Sequence, residues 1–379
     1  MDFLRTRTLA YLIGAVEFAD NIRLNILDSL TTFEPRAASS WNNLEGKTCI
    51  ITGGNAGIGL ATATAVARHG GRVVLACRSL ERGNKAAKAI GVEACEGNPE
   101  KVHEVEVREL DLGSLDSVRS FAKVFNSEHR RLDLLVCNAG IMAPPERIQT
   151  ADGLEQQFQV NYLGHFLLAH ELLTYQRKHF ISPKNSNSRT RGRNQHKPAG
   201  SASDLACSSD DISTRVIFLS SMAHRAGNLD FTDLQLNRSY SGFQGYANSK
   251  LATLSAAKEF QRQFDRSSST RRDVAVAVHP GLVDTVLARG WLTGADVMGS
   301  AAQRFVAPVA KLLAPWLLIQ PERALESILY AATAPADLVA GQYVASGRTT
   351  RPARQACDTA TAEKLWHVSC KLAKMQPSL

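Results

Sequence analysis

From residue 47 onward the chain alternates between short strand-like runs and longer stretches with helical spacing. "KTCIIT" (47–52) leads, through a glycine-rich turn, to "LATATAVARHG", and "RVVLAC" (72–77) leads to "LERGNKAAKAIGV". "VHEVEVREL" (102–110) leads to "SLDSVRSFAKVFNSE", and "LDLLVCNAG" (132–140) to the long stretch 153–180. Strands separated by ten or more helical residues lie parallel, with each helix crossing over a face of the sheet. Most of these runs are apolar at successive positions, the pattern of strands covered on both faces. The alternation resumes with "RVIFLS" (215–220), a helix carrying Tyr246, and "DVAVAVHP" (273–280). A late run, "GQYVAS" (341–346), is expected to close the sheet edge. The expected fold class is α/β, a parallel sheet between helical layers.

One domain is expected over 46–345, between an N-terminal extension (1–45) and a C-terminal tail (346–379). Residues 181–214 break the pattern, being rich in Ser, Asn, Arg and Lys. Too few large apolar side chains occur there to bury surface, so a flexible polar insertion is expected. A hydrophobic content of 44% against 21% charged residues describes a globular chain. The net charge of +8 suits an anionic partner such as a phosphate-bearing cofactor or a lipid surface. Part of that excess sits in the insertion, and nucleic acid is not expected as a partner.

The seven cysteines are scattered and form no C-x-x-C, so neither a metal site nor a redox dithiol is expected. Cys49, Cys77 and Cys137 fall inside apolar runs and read as small core residues of a protein in a reducing, intracellular compartment. No apolar run reaches the roughly 18 residues that a spanning helix needs. "LAYLIGAVEFA" (9–19) follows Arg5 and Arg7 and soon meets Glu17 and Asp20. It reads as a helix that either touches a membrane surface or packs on the domain.

"IITGGNAGIGLA" (50–61) sets Gly53, Gly57 and Gly59 between the first strand and the first helix. Glycines permit the tight turn and a close backbone approach, and the helix N-terminus offers unpaired N–H groups to a pyrophosphate. An acidic residue ending the second strand would hold a ribose hydroxyl, whereas an arginine pairs with a 2′-phosphate. Here the strand ends in "LACRSLERG", with Arg78 and Arg82 and no acid before Glu81. NADP(H) is therefore expected over NAD(H).

Tyr246 and Lys250, in "GYANSK", are spaced i and i+4 and stack on one side of a helix. A cation beside the phenol favours phenolate and lowers a pKa that is otherwise about 10, which suits acid–base work near neutral pH. The spacing alone equally describes a solvated pair on an exposed face.

Taken in order, "TGGNAGIG", "LDLG", "CNAG", "NYLGHF", "FLSSMAH", "YANSK" and "HPGLVDT" resemble the short-chain dehydrogenase/reductase family, across about residues 46 to 345. "LACR", "NYLGHFLL" and "SSMAH" are similar to its retinol dehydrogenase and polyprenol oxidoreductase branch. The resemblance implies one Rossmann-type doubly wound parallel sheet with helices on both faces and a short apolar lid near the C-terminus. It also implies that Tyr246 exchanges a proton with the substrate oxygen and that Lys250 lowers its pKa and holds the nicotinamide ribose. Ser221, in preference to Ser220, would bond the reacting oxygen, and Asn161 would hold a water joining Lys250 to solvent. Gly53, Asn55, Gly57, Ile58, Gly59, Arg78, Arg82, Asp111 and Leu112 would line the adenosine and pyrophosphate end. Asn138, Ala139, Gly140, Pro280, Gly281, Val283 and Thr285 would line the rest, with Asp111 on adenine and Thr285 on the carboxamide. His165 and His224 read as structural, and Ser221 lacks the G-x-S-x-G of a hydrolase elbow.

In this family the segment after "PGLVDT" covers the substrate. Here it reads "VLARGWLTG" (286–294) and then "FVAPVAKLLAPWLLI" (305–319), apolar but broken by prolines. An apolar lid favours a lipophilic alcohol or aldehyde of retinoid or polyprenoid type, since burial contributes about 0.8 kcal/mol per CH₂. The same surface can meet a bilayer, which would place the enzyme at the endoplasmic reticulum or a lipid droplet. Pairing as a homodimer through the long helices is a further expectation from the family. Two alternatives stay open: reduction of a C=C bond, as in protochlorophyllide reductases, and a weakly active NADP(H)-binding scaffold.

Overall fold

In the computed structural model, residues 44–94, 105–179, 213–267, 272–281, 283 and 321–379 are described. The apolar runs become strands whose successive residues serve opposite faces. In β1 (Thr48–Thr52) every residue is buried. Ile50 belongs to one apolar cluster, while Cys49 and Ile51 belong to another. β2 (Arg72–Cys77), β4 (Leu134–Cys137), β5 (Arg215–Leu219) and β6 (Val274–His279) follow the same rule. β3 (Val105–Glu109) is an edge strand and only half-buried. Two short strands, β7 (Tyr343–Ala345) and β8 (Arg348–Thr350), complete one sheet in the order β3-β2-β1-β4-β5-β6-β7-β8. All pairings are parallel except β7 with β8.

One face is covered by α1 (Gly57–Arg68), α2 (Leu80–Ala94), α6 (Pro321–Thr333) and the single turn α7 (Ala336–Val339). The other is covered by α3 (Leu115–Glu128), α4 (Gly164–His179), α5 (Gly242–Arg266) and α8 (Thr359–Leu372). This is the expected doubly wound architecture. Its strand order reverses between β1 and β4, and ligands of such sheets bind in the crevice outside the C-terminal strand ends there.

The structure departs from expectation in several places. Residues 346–379, expected as a tail, carry β8 and α8, and Leu365, Trp366 and Cys370 of α8 are buried in the main cluster. β7 is not the edge, because the polar hairpin partner β8 covers it. The stretch 153–180 is not one α-helix: a π-turn at Phe158–Leu163 precedes α4, and the Gly164 N–H bonds back five residues to the Gln159 carbonyl. The aromatic side of α4 and α5 packs against α8 of the same chain: Trp366 stands edge-on to Phe166 and Phe260, with ring centroids 4.9 and 4.8 Å away.

Cys49, Cys77 and Cys137 are buried thiols. Among the described residues no helix is long and apolar enough to cross a membrane. The helix expected at 9–19, residues 181–212 of the insertion, the apolar segments 286–294 and 305–319, and Thr285 lie outside the described residues.

Candidate active site

Gly53 and Gly57 adopt φ of +65° and +53°, a left-handed conformation that glycine alone takes without strain. A Cβ at Gly59 would stand 2.5 Å from both Asn138 Nδ2 and the Gly53 carbonyl, so only glycine lets α1 begin this close to the loop and to β4. The N-cap, Ala56, makes no side-chain hydrogen bond, so the first-turn amides are left to a ligand. Asn55 on this loop and Ile58 in the first turn of α1 are half-buried, and Ile58 packs on Val283 and Ala324. Arg78 and Arg82 are both exposed beyond the end of β2. Asp111 Oδ1 accepts from the Gly113 N–H at 2.9 Å, which shapes the turn after β3. Leu112 turns its side chain into the core, so only its backbone can face a ligand. Pro280 and Gly281 follow β6, and Gly281 has φ +90°.

Thr52, which the sequence reading did not single out, ties this loop to the chemistry. Its hydroxyl accepts from the Asn138 and Ala139 amides at 2.9 and 3.0 Å, while the Asn138 Nδ2 donates to the Thr52 carbonyl. The hydroxyl lies 2.8 Å from His165 Nε2, and His165 Nδ1 lies 3.1 Å from the Asn161 carbonyl. A carbonyl only accepts, so Nδ1 carries the proton and Nε2 receives the Thr52 hydroxyl. Burial pushes the imidazole pKa down to about 4, so it stays neutral. His165 is thus structural, as expected.

The Tyr246–Lys250 pair is not a solvated one. Both are buried, at 8% and 6% exposure, and the ammonium lies 5.6 Å from the phenol ring centroid. Lys250 Nζ donates to the Leu219 carbonyl at 2.9 Å, and burial lowers its pKa to about 8. Asn161, held in the π-turn, exchanges two bonds with the Ile141 backbone, its Oδ1 accepting at 2.8 Å and its Nδ2 donating at 2.9 Å. The same Nδ2 reaches Ser249 Oγ at 2.9 Å, and Ser249 donates to the Tyr246 carbonyl. A Cβ built on Gly140 would stand 3.1 Å from Asn161 Oδ1 and 3.7 Å from Lys250 Nζ, so this glycine leaves the space that both side chains border. Ser249, like Thr52, carries no sequence signal, because it acts across 88 residues.

The two serines after β5 separate by partner. Ser220 is buried and donates to the Lys250 carbonyl at 2.9 Å. Ser221 is half-exposed and caps the 3₁₀ turn Met222–Ala226 by accepting from the Ala223 N–H, which leaves its own proton to give. Beside Tyr246, an apolar cluster of Phe243, Ala223 and Ala226 carries the half-buried Met142 and Met222. Gln157, another residue without a sequence signal, is fully buried and fixes the cleft wall. It accepts from the Ala143 N–H at 2.7 Å and donates to the Gly242 carbonyl at 2.9 Å.

Residues 47–180 match the family model for short chain dehydrogenases. The chain is 37% identical to human retinol dehydrogenase 13 over 345 residues, covering 90% of this chain and 88% of that one. The chain belongs to the short-chain dehydrogenase/reductase family. Within it this dehydrogenase is retinol dehydrogenase-like, being also 33% identical to human retinol dehydrogenase 12 over 87% of both chains. Among solved structures it is similar to an uncharacterised protein from Mycobacterium paratuberculosis, with TM-score 0.60, 30% identity, and coverage of 89% and 98%. A Shigella flexneri short-chain dehydrogenase complexed with NADP shares the fold at TM-score 0.52 and 18% identity, covering 80% and 99%. A nicotinamide dinucleotide is the cofactor of such a fold, and the glycine loop, the uncapped α1 and the Asn138–Gly140 turn fit it.

Proposed function

We propose that this short-chain dehydrogenase/reductase is an NADP(H)-dependent enzyme that interconverts a lipophilic alcohol with its aldehyde or ketone. The observation that carries the reading is the desolvated Tyr246–Lys250 pair, bordered by Asn161 and Gly140 at the C-terminal strand ends. Burying an ammonium with a single carbonyl partner is costly, and setting it beside a buried phenol supplies acid–base chemistry beyond holding a dinucleotide.

The cofactor supplies the hydride. Tyr246 gives its phenolic proton to the carbonyl oxygen during reduction and takes one from the alcohol in the reverse direction. The Lys250 ammonium favours the phenolate that remains, and Ser221 donates a second hydrogen bond to the same oxygen, where negative charge builds. Asn161 holds the 139–141 turn against the helix that bears Tyr246, which keeps proton donor and cofactor cleft in register. Arg78 and Arg82 would pair with a 2′-phosphate. Met142, Met222 and Phe243 make the wall beside Tyr246 apolar, and flexible thioethers adapt to a long hydrocarbon.

The test follows NADPH and NADH absorbance with retinaldehyde, a short polyprenal and small polar carbonyls in detergent. NADPH with the lipophilic aldehydes should turn over fastest. Tyr246→Phe should lower kcat by about 10³-fold while NADPH binding, read by fluorescence, persists. Turnover of small polar carbonyls alone would refute the substrate class, and near-normal activity of the Tyr246 variant would refute the mechanism.

A further inference from the structure

His224 is completely buried and lies three residues after Ser221, on the 3₁₀ turn that Ser221 caps. Its Nε2 accepts the Ala353 N–H at 3.0 Å. An amide only donates, so the ring proton sits on Nδ1, which donates to the Ser221 carbonyl at 2.6 Å. The ring is held edge-on by Tyr343 of β7, with centroids 5.0 Å apart. Next to it, the Arg225 guanidinium donates to the Arg351 carbonyl at 2.7 Å. The segment 351–353, directly after β8, is therefore strapped to the turn that presents Ser221. Burial and the Arg225 charge push the His224 pKa down to about 4, so this pattern of one donor and one acceptor holds at neutral pH.

We propose that His224 is a positioning residue through which the 351–353 segment sets the direction of the Ser221 hydroxyl. A hydrogen bond to the Ser221 carbonyl fixes the backbone at that residue, and the backbone fixes where Oγ points. The donor to the substrate oxygen is then held from two directions, by its own turn and by a strand hairpin 130 or so residues away in sequence. The inference rests on the role proposed above for Ser221.

Two substitutions separate the two bonds. His224→Gln keeps an acceptor near Nε2 for Ala353 and loses the donor to Ser221. His224→Asn keeps a donor near Nδ1 for Ser221 and loses the acceptor. The Gln variant should lose about tenfold in kcat, with KM for the aldehyde and the NADPH Kd unchanged. The Asn variant, which loses the Ala353 bond alone, should lose only about threefold in kcat while melting at a lower temperature. Ala353→Pro, at a residue whose φ of −60° already suits proline, removes the N–H without burying a new group. It should fold and lose about threefold in kcat, which keeps the test open if the buried histidine tolerates no replacement. Wild-type kcat in His224→Gln or in Ala353→Pro overturns the inference, as does equal loss of kcat and stability in Gln and Asn. Ser221→Ala separates the two layers: full activity there refutes the role of Ser221 itself. Inactivity there, with wild-type kcat in His224→Gln, refutes the positioning role alone.

Discussion

Lys250 is 6% exposed and bonds to a buried carbonyl, whereas Arg78 and Arg82, at the other end of the same cleft, stand in solvent. The end proposed for the reaction is assembled from side chains that the fold has already desolvated and hydrogen-bonded: Asn161, Ser249 and Lys250 are all buried. The end proposed for adenosine offers exposed charges beside a glycine turn. Charges kept from water act strongly and over short range, while exposed ones are screened. Substitutions at the first end should therefore strike turnover, and those at the second should strike cofactor preference in a salt-dependent way.

After the Tyr246 variant, the largest effect is expected from Lys250→Met, which removes the ammonium while keeping most of its volume. We expect kcat to fall at least about 10²-fold, with thermal stability held, since no buried charge is left without a partner. A loss under tenfold would erase the contrast between the two ends. In the wild type the ammonium loses its proton as pH rises through about 8, so kcat/KM for the cofactor should decline above that pH. A profile in Lys250→Met that keeps the same decline would assign it to another group.

Next in size come Arg78→Ala and Arg82→Ala. Each should raise KM for NADPH by about tenfold and leave KM for NADH nearly unchanged. The difference should shrink as salt is added; one that is indifferent to salt would mean that the exposed end is not built on screened charge.

The smallest effect concerns stability. His165, His170 and His224 are buried, and burial lowers each pKa from 6.5 to about 4. The unfolded chain binds more protons between those values, so this stability is complete above pH 6.5 and is lost as pH falls towards 4. The urea midpoint should drop across that window, and a flat midpoint would contradict the buried, neutral rings.

The strands could be read from the sequence because burial on both faces leaves continuous apolar runs, as in "KTCIIT" and "RVVLAC". β8 could not, since "RTT" is three exposed or half-exposed residues held by one neighbour. The π-turn is equally silent: one extra residue per turn changes no composition, yet it redirects Asn161. In the site, Tyr246, Lys250 and the glycine loop are legible because they fall in an ordered set of motifs that resembles the family's. Thr52, Ser249 and the Leu219 carbonyl are not, because a hydroxyl or a backbone oxygen gains its meaning from a partner far along the chain.

α8 lies over α4 and α5, with its tryptophan between Phe166 and Phe260 and with Ser369 against the Tyr162 hydroxyl at 2.6 Å. A nascent chain can thus pair β1 to β6, which end at His279, long before it can shield these rings. Until residues 359–372 leave the ribosome, an aromatic surface stays open to chaperones or to a neighbouring chain. Premature termination between β8 and α8 would yield a polypeptide that keeps Asn161, Ser221, Tyr246 and Lys250 and is still fated for aggregation or proteolysis.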